Sequence, residues 1–243
     1  MNDILEKICR DKLPEIEAAK KALPLSELKK QASAAPIPPD FTASLKKPGV
    51  RIIAELKKAS PSKGLIRENF DFEACATELE EAGAAALSVL TERNYFLGSL
   101  DFLRKTVERV KIPVLRKDFI FDPYQIYEAK AAGASAVLLI AAMLDDQKLH
   151  ALTEVAGETG LAVLGEAHDE REVERLLRAP VGVIGVNARD LRTFQTDLKR
   201  VEKLIGMIPS DRVAVAESAI KNRDDIRSLR AAGAGAFLIG ETL

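Results

Sequence analysis

The sequence predicts an α/β protein, a closed (βα)8 barrel of parallel strands preceded by a helical extension. Three stretches repeat one pattern: EAGAAALSVL at 81–90, AAGASAVLLI at 131–140 and AAGAGAFLIG at 231–240. In each, an Ala-Gly pair suits the left-handed end of a helix and an apolar strand follows, as at the helix-to-strand joint of a βα unit. Eight such apolar runs alternate with helical patterns along 243 residues, close to the length of about 250 residues that is typical of a TIM barrel. A doubly wound open sheet is the alternative, but the Gly-rich dinucleotide loop that usually follows its first strand is missing from the sequence.

Residues 1–48 precede the first strand and are predicted to form the extension, packed on a barrel of residues 49–243 in a single overall domain. They read as two helices, one interrupted near Pro14 and one starting near Pro24, followed by the Pro-rich connector AAPIPPDF. A barrel does not need such an extension. We therefore expect it either to plug the bottom of the barrel or to cover its catalytic end.

The eight strands are predicted from short, continuous apolar runs, which are typical of parallel strands covered on both faces. The runs are VRIIAEL from Val50, ALSVL at 86–90, IPVLRKD from Ile112, AVLLI at 136–140, GLAVLGEA from Gly160, VGVIGVNARD from Val181, RVAVAESA from Arg212 and AFLIG at 236–240.

The segments between the strands are predicted to be amphipathic helices. DFEACATELEEAG and NRDDIRSLRAAG, for example, place apolar residues at a spacing of three to four with charges opposite. Asp71, Ser99, Asp122 and Asn222 precede such segments and are the predicted N-caps. The given sequence ends with IGETL directly after the eighth strand, so we expect the closing eighth helix to be absent from it.

The charge balance favours a small-molecule partner. The 36 Lys and Arg residues against 37 Asp and Glu leave a formal net charge of -1, which provides no signature for binding nucleic acid or an anionic membrane. The N-terminal MNDILEKICRDKLPEIEAAKK lacks the apolar run of a signal peptide or a spanning helix. We expect a cytoplasmic protein, a monomer or weak homo-oligomer, with no nucleic-acid or membrane partner.

Cysteine and histidine spacing predicts neither a disulfide nor a metal site. Cys9 and Cys75 have no pairing or ligand spacing, so we expect two reduced thiols. His150 lies within a helical pattern, and His168 follows Glu166 with no second histidine at ligand spacing. For His168 we expect a supporting or surface role, although it could shape the site.

Polar residues concentrate where the predicted strands end. The C-terminal ends of the strands form the active-site rim of such a barrel. Because buried charges are costly unless they are paired or used, their convergence from several strands favours an active site over a structural ion pair. The residues are Glu55, Lys57 and Ser60 on the first strand, Ser88 on the second, Lys117 and Asp118 on the third, Glu166 and His168 on the fifth, Asn187, Arg189 and Asp190 on the sixth, Glu217 and Ser218 on the seventh, and Gly240 and Glu241 on the eighth.

A phosphate site is predicted at the ends of the seventh and eighth strands. These barrels commonly bind phosphate there, through backbone N–H groups and the N-terminus of a short helix. Ser218 supplies a hydroxyl, Gly240 allows close approach of the backbone, and Ser60 could add a second hydroxyl. We therefore expect a phosphorylated small-molecule substrate.

Seven stretches together resemble the indole-3-glycerol phosphate synthase family. They are IAELKKASPSKG at 53–64, ALSVLTERNYFLGS at 86–99, PVLRKDFIFDPYQI at 113–126, GEAHDE at 165–170, GVNARDLRTF at 185–194, AESAI at 216–220 and AFLIGETL at 236–243, which span nearly the whole chain in the family's order. The resemblance implies a carboxy-lyase of tryptophan biosynthesis that closes 1-(2-carboxyphenylamino)-1-deoxyribulose 5-phosphate to indole-3-glycerol phosphate, with loss of CO₂ and water. It implies general acid/base catalysis without a cofactor or metal, because the electrons freed by decarboxylation restore the aromatic ring.

The same resemblance implies a role for each matching residue. Lys117 matches the general acid that protonates the ketone-derived oxygen as the anthranilate ring carbon attacks, and Glu166 matches the proton-transfer partner of the later dehydration. Lys57 matches the residue that holds the substrate carboxylate, while Glu55 and Glu217 match carboxylates that stabilise developing positive charge. The remaining matches are Asn187 and Arg189, which position the sugar hydroxyl and the anthranilate carboxylate, Ser60, Ser218, Ala219 and Gly240 at the phosphate, Phe119 in the ring pocket, and Glu241 among the substrate-binding residues.

Two departures from the family pattern concern the site. Ala219 stands where the family usually has glycine, and alanine suffices there only if the position does not need a positive φ. Gly165 and Ala167 flank Glu166 where the family favours valines, so looser packing could shift its carboxylate. Two other functions stay open: a phosphoribosyl isomerase of the same barrel lineage, which does not call for Lys57, Lys117 and Glu166 together, and a non-catalytic barrel that binds phosphorylated ligands.

Overall fold

The eight predicted strands form a closed parallel barrel in the computed structural model, which describes residues 3–60, 64–65, 71–189 and 196–240. The barrel strands are β1 (Arg51–Leu56), β4 (Ala86–Leu90), β5 (Val114–Lys117), β6 (Ala136–Ile140), β7 (Ala162–Ala167), β8 (Val183–Asn187), β9 (Val213–Glu217) and β10 (Ala236–Ile239). They are ordered β1-β10-β9-β8-β7-β6-β5-β4, so the first and last strands pair and close the barrel. The predicted fold is confirmed. An antiparallel pair after β1, β2 (Ala59–Ser60) with β3 (Gly64–Leu65), was not predicted.

Helices follow the barrel strands and cover their outer faces. They are α4 (Phe72–Glu81), α5 (Leu100–Arg109), α6 (Pro123–Ala131), α7 (Asp146–Glu158), α8 (Glu170–Arg178), α9 (Leu198–Ile205) and α10 (Arg223–Ala231), with a short 3-10 turn at Ala141–Met143. Each predicted N-cap is confirmed, because the side chains of Asp71, Ser99, Asp122 and Asn222 all accept a hydrogen bond from a backbone N–H in the first turn of the helix.

Three helices precede β1, where the sequence predicts two. They are α1 (Asp3–Ala22), α2 (Leu25–Ala34) and α3 (Phe41–Lys46). The predicted interruption at Pro14 is wrong, since α1 runs through it. The buried Ile8, Lys12 and Ile16 hold both halves of α1 against the barrel, which offsets a cost of about 3 kcal/mol for proline inside a helix. The missed helix α3 begins inside the Pro-rich connector, where the Asp40 side chain accepts a hydrogen bond from Ala43 N–H.

The two ends of the barrel are covered by different parts of the extension. Helix α3 contacts β1, β4 and β9, and the carbonyl of its Ser44 accepts a hydrogen bond from Arg51 at the start of β1. It therefore lies at the N-terminal end of the strands. Helix α1 lies at the opposite end, where its Ile4, Leu5 and Ile8 line the cavity described below. The extension thus does both things that the sequence left as alternatives.

Buried polar contacts fix α1 to the barrel. The ammonium of Lys12 lies 2.8 Å from the carboxylate of Asp118, directly after β5, and both side chains are buried. The Tyr124 hydroxyl donates to carbonyls at the end of α1. Among the helices that the structure describes, none is long and apolar enough to cross a membrane.

Candidate active site

A cavity opens at the C-terminal ends of the barrel strands and collects most of the predicted site residues. Those that line it are Glu55, Lys57, Lys117, Asp118, Phe119, Glu166, Asn187, Arg189, Ser218, Ala219 and Gly240. Glu217 lies buried directly behind Lys117. The side chain of Ser60 and all of Glu241 lie outside the described residues, as does Asp190. Within the described ranges, no group of three His, Cys, Asp or Glu side chains is arranged to hold a metal ion.

Lys117 stands among three carboxylates contributed by different strands. Its Nζ atom lies 4.0 Å from Glu55 Oε2 and 3.7 Å from Glu217 Oε2. Burial alone would lower the pKa of Lys117, but the charges of Glu55, Glu217 and Glu166 outweigh it and raise the pKa above its ordinary value. The lysine therefore stays an ammonium ion, able to donate a proton or a hydrogen bond.

Glu55 also pairs with a second lysine, on the same strand face. Lys57 Nζ lies 3.3 Å from Glu55 Oε1, and both side chains are largely buried. Alternation along β1 directs Ile53, Glu55 and Lys57 into the barrel. Next to Glu55 in register is Ser88, whose buried hydroxyl has no hydrogen-bond partner among the described residues.

Glu166 and Glu217 are a buried acid pair with opposite protonation. Burial, followed by the charge of Glu166, raises the pKa of Glu217 to about 8. Burial would likewise raise the pKa of Glu166, but hydrogen bonding and charge from His168, with the charge of Lys117, lower it to about 2. Two neighbouring carboxylates in a dry site cannot both ionise easily. At neutral pH the negative charge therefore lies on Glu166 and the proton on Glu217.

One glycine within β8 and one directly after β10 make room for these carboxylates. A Cβ atom on Gly185 would overlap Glu217 Oε1, and one on Gly240 would lie 2.9 Å from the Glu55 Cβ. For Gly240 the sequence predicts close approach to phosphate, and the structure adds its packing against Glu55. Gly185 was not predicted as part of the site. Its signal was an isolated glycine inside the apolar run VGVIGV, which indicates close approach of another group.

The segment after β9 has an unusual backbone. Ser218 and Ala219 are consecutive left-handed residues, with φ of 65° and 59°. The condition under which alanine was expected to suffice at 219 is therefore not met, and the residue costs about 1 kcal/mol relative to glycine. Successive amides in such a turn form a concave anion-binding surface. The backbone at 218–219 thus has the form expected of an anion site.

The opposite side of the cavity is apolar. The rings of Phe119 and Phe96 lie with their centroids 6.1 Å apart, and Ile4 and Ile8 of α1 line the same cavity. Of these, only Phe119 was predicted. The loop that carries Phe96 is held by the buried carboxylate of Glu92, which accepts hydrogen bonds from three consecutive backbone N–H groups.

Other predicted residues contribute through neighbours. The Oδ1 of Asn187 accepts a hydrogen bond from the backbone N–H of Arg189 at 3.0 Å, which fixes the turn after β8. The Asp118 carboxylate accepts a hydrogen bond from Arg116 and forms an ion pair with Lys12. It is therefore already engaged by two side chains of the protein. His168 is not a surface residue: its side chain is 11% exposed and its ring lies 3.3 Å from Glu166. The sequence favoured a supporting or surface role for His168 over one in shaping the site, and the surface role is wrong.

Comparison with known proteins gives one consistent result. The family model described as indole-3-glycerol phosphate synthase matches residues 5–243. An indole-3-glycerol phosphate synthase of Acetivibrio thermocellus is 52% identical over 206 residues, covering 84% of this chain and 79% of its own. One of Dehalococcoides mccartyi, strain CBDB1, is 46% identical over 244 residues, covering 99% and 94%.

A solved structure supports the fold alone. The N-acetylmannosamine-6-phosphate 2-epimerase of Clostridium perfringens superposes with a TM-score of 0.65 over 83% of this chain and 90% of its own. Its sequence identity is 12%, so it carries no argument about the substrate.

Proposed function

The chain belongs to the indole-3-glycerol phosphate synthase family, and from this premise we propose how its residues divide the reaction. Members close 1-(2-carboxyphenylamino)-1-deoxyribulose 5-phosphate to indole-3-glycerol phosphate and release CO₂ and water. The protein is thus a carboxy-lyase of tryptophan biosynthesis. The assignments below concern the individual side chains.

The substrate lies across the cavity with its three recognisable parts in different surroundings. The aromatic ring lies on the apolar side with Phe119, Phe96 and helix α1. The ring carboxylate faces Lys57 and Arg189, which line the same cavity. The phosphate lies on the left-handed turn at Ser218 and Ala219. This orientation places the ketone between phosphate and ring, toward the carboxylates and Lys117.

Lys117 is the general acid of ring closure. As the ring carbon bearing the carboxylate attacks the ketone carbon, negative charge grows on the ketone oxygen and positive charge on the anilino nitrogen. The ammonium of Lys117 delivers a proton to that oxygen, a step for which a well-placed acid contributes about 10²–10⁴-fold. The observation that carries this assignment is its position 4.0 Å from the Glu55 carboxylate, whose charge, together with that of Glu166, keeps Lys117 protonated.

The carboxylates act before and after CO₂ leaves. Glu55 stabilises the positive charge on nitrogen while Asn187 positions the sugar hydroxyl. Loss of CO₂ returns its bonding electrons to the ring. The ketone-derived hydroxyl then takes a proton from Lys57, which lines the cavity, and leaves as water. The ionised Glu166 accepts the proton released from the neighbouring carbon. Glu217 holds a proton in the free protein and does not supply a fixed charge. Its carboxyl oxygens have no hydrogen-bond partner among the described residues, so this proton is available to the bound substrate.

A fluorescence assay of indole formation tests this function and its general acid. The unmodified protein should convert the substrate named above, and Lys117→Ala should reduce kcat by at least about 10²-fold because no proton reaches the ketone oxygen. Substrate binding to the variant, measured by calorimetry, should persist. Lys111→Ala, on the loop before β5, is the control and should leave turnover unchanged.

Three results would contradict these assignments. Binding of phosphorylated ligands without turnover by the unmodified protein would favour the non-catalytic barrel, and isomerisation of a phosphoribosyl substrate would favour the isomerase. Full turnover by Lys117→Ala would remove Lys117 from its role.

We also infer a cytoplasmic protein that works as a monomer or weak homo-oligomer. The balanced charge and a chain that builds its own cavity support this. Light scattering at several protein concentrations measures the oligomeric state.

A further inference from the structure

His168 lies between two carboxylates at the turn after β7. Its Nε2 atom is 3.3 Å from Glu166 Oε1, and its Nδ1 atom is 3.1 Å from Glu172 Oε2. The side chains of all three residues are at most 15% exposed. The imidazole thus connects the active-site carboxylate to a second acid on α8.

This geometry favours a doubly protonated ring. The Nδ1 atom hydrogen-bonds to Glu172, and the Nε2 atom lies 3.3 Å from Glu166 as a charge contact. A neutral imidazole would leave Glu166 without an opposite charge at this contact, whereas the imidazolium ion faces both carboxylates. Burial would lower the pKa of His168, but its close contacts with Glu166 and Glu172 and the charges of these two acids outweigh burial and raise the pKa to about 10. On the side of Glu166 the next charged groups are Lys117 and Glu217.

The imidazole is not needed to start α8. Asp169 caps this helix by accepting a hydrogen bond from Glu172 N–H at 2.8 Å. The Glu172 carboxylate in turn accepts from the backbone N–H of His168 at 2.7 Å. This reciprocal cap uses only the backbone of residue 168, so any side chain there would preserve it. The ring is therefore free to act on Glu166.

We propose that His168, held by Glu172, is a positioning residue that keeps Glu166 ionised and directs the shared active-site proton to Glu217. The proposal rests on the assignment of Glu166 as the proton acceptor above. Without the imidazolium ion, Glu166 would keep only the charge of Lys117 beside it and would compete with Glu217 for the same proton. A protonated Glu166 could not accept one from the reaction.

Two substitutions separate charge from shape. His168→Gln removes the cation, whereas His168→Lys retains it. His168→Gln should lower kcat at least about tenfold, because proton transfer by Glu166 loses part of its contribution to the rate. KM should stay within about twofold. The same substitution should also move the acidic limb of the pH profile of kcat up by at least one pH unit. His168→Lys should restore most of kcat and the original profile, and Glu172→Gln should shift the profile in the same direction by less.

His150→Gln is the matched control. The protein has two histidines, and His150 also faces a glutamate four residues on, Glu154, at 3.4 Å. This pair is more than half exposed and lies on α7, outside the residues that line the cavity. The control should leave kcat and the pH profile unchanged.

Imidazole NMR of the unmodified protein provides a readout that does not depend on activity. One of the two histidines should remain protonated at both ring nitrogens at pH 8.5, and this signal should disappear in His168→Gln. A neutral His168 ring at that pH would overturn the proposal even if every variant were inactive. An unchanged pH profile in His168→Gln would also overturn it.

The outcomes also separate this proposal from the proposed function. If the unmodified protein fails to turn over the substrate, the function is wrong, and the NMR result still decides the charge of His168. If Lys117→Ala is inactive and His168→Gln behaves like the unmodified protein, only the role of His168 is wrong.

Discussion

At the scale of single residues, the two left-handed positions after β9 set the backbone strain of the proposed phosphate-binding turn. Ser218 and Ala219 both have positive φ, which costs an L-residue free energy unless the surrounding structure compensates. Strained backbone of this kind is enriched at functional sites. It is tolerated because β9 and α10 fix the chain on both sides.

Ala219→Gly should stabilise the protein. Glycine adopts φ of 59° without a Cβ clash, and we expect the free energy of unfolding to rise by about 1 kcal/mol, minus the entropy that glycine adds to the unfolded chain. Urea denaturation measures the change. Ala151→Gly, at an exposed position within helix α7, is the control and should destabilise by about 0.5–1 kcal/mol. Equal losses at both positions would contradict the strain at 219.

Gly185→Ala should disturb the acid pair. The new methyl group would overlap the Glu217 carboxylate, and overpacking of this kind costs about 1–3 kcal/mol. Because Glu217 must move, kcat should fall more than KM changes. Gly182→Ala is the control, since a Cβ atom there meets open space. If both variants keep full activity, the contact at Gly185 has no role in placing Glu217.

The site residues that the sequence predicts share one property: each lies within a few residues of the end of an apolar run. Glu55, Lys117 and Glu217 could be found in this way because strand alternation and barrel topology place them on one rim. The left-handed φ of Ala219 and the contact between Gly185 and Glu217 depend on distances across strands. Neither can be predicted from the spacing of residues along the sequence.

At the scale of elements, helix α1 lines the cavity and must be held against the barrel to do so. The salt bridge between Lys12 and Asp118, 2.8 Å long and buried, connects α1 to the residue next to Lys117. Burial would raise the pKa of Asp118, but Arg116 and Lys12 outweigh it and lower the pKa. This contribution to stability is therefore present above the ordinary pKa of an aspartate and is lost as the pH falls below it.

Lys12→Met should loosen α1 and destabilise the protein by about 3 kcal/mol, since breaking a buried pair leaves a carboxylate with fewer partners. Arg116, at 3.1 Å from Asp118, keeps the loss from being larger. Thermal unfolding and the KM for substrate report the two effects. Lys30→Met, which breaks the exposed pair with Glu27, should change stability by less than about 0.5 kcal/mol. A similar small change for Lys12→Met would show that α1 is held by its apolar contacts alone.

Helices and strands were predicted well where a long stretch of sequence carries a regular apolar pattern. They were predicted less well where tertiary contacts decide the structure. The strands and the N-caps followed from pattern and capping chemistry. The uninterrupted α1 did not, because the penalty of Pro14 is offset by tertiary burial of Ile8 and Ile16. Helix α3 is six residues long and too short for a periodic signal, so only its Asp40 cap could have indicated it.

At the scale of the whole molecule, the buried acid pair makes stability depend on pH in an unusual direction. Glu217 has an ordinary pKa of 4.5 when unfolded and about 8 when folded. The folded protein therefore holds a proton that the unfolded chain releases between these values. It follows that this group lowers the free energy of unfolding as the pH rises through that interval.

Glu217→Gln should remove this dependence. The variant should gain stability relative to the unmodified protein as the pH rises from 5 to 9, by about 1–3 kcal/mol at the upper end. Urea denaturation at both pH values measures the difference. Glu154→Gln, on an exposed side chain, should show no such gain. A constant difference between Glu217→Gln and the unmodified protein at the two pH values would mean that Glu217 is ionised throughout.

The architecture was predictable because continuous apolar runs and the repeated Ala-Gly joint carry information along the whole chain. The relation of His168 to Glu166 and Glu172 could not be predicted in the same way. It requires the turn after β7 to fold back so that both ring nitrogens face acids. Spacing alone could not decide whether His168 supports the site, lies at the surface or shapes the site.

Closure of the barrel through β1 and β10 has a consequence for folding kinetics. Arg51 pairs with Ala236, so this ladder joins segments that lie far apart in the chain and leave the ribosome at different times. Contacts of such high sequence separation are made late and slowly. Glu55 stands on one side of this ladder, packed against Gly240 at the end of the other. A partly folded chain therefore has most of its strands but no catalytic centre, and the recovery of activity should mark the final step of refolding.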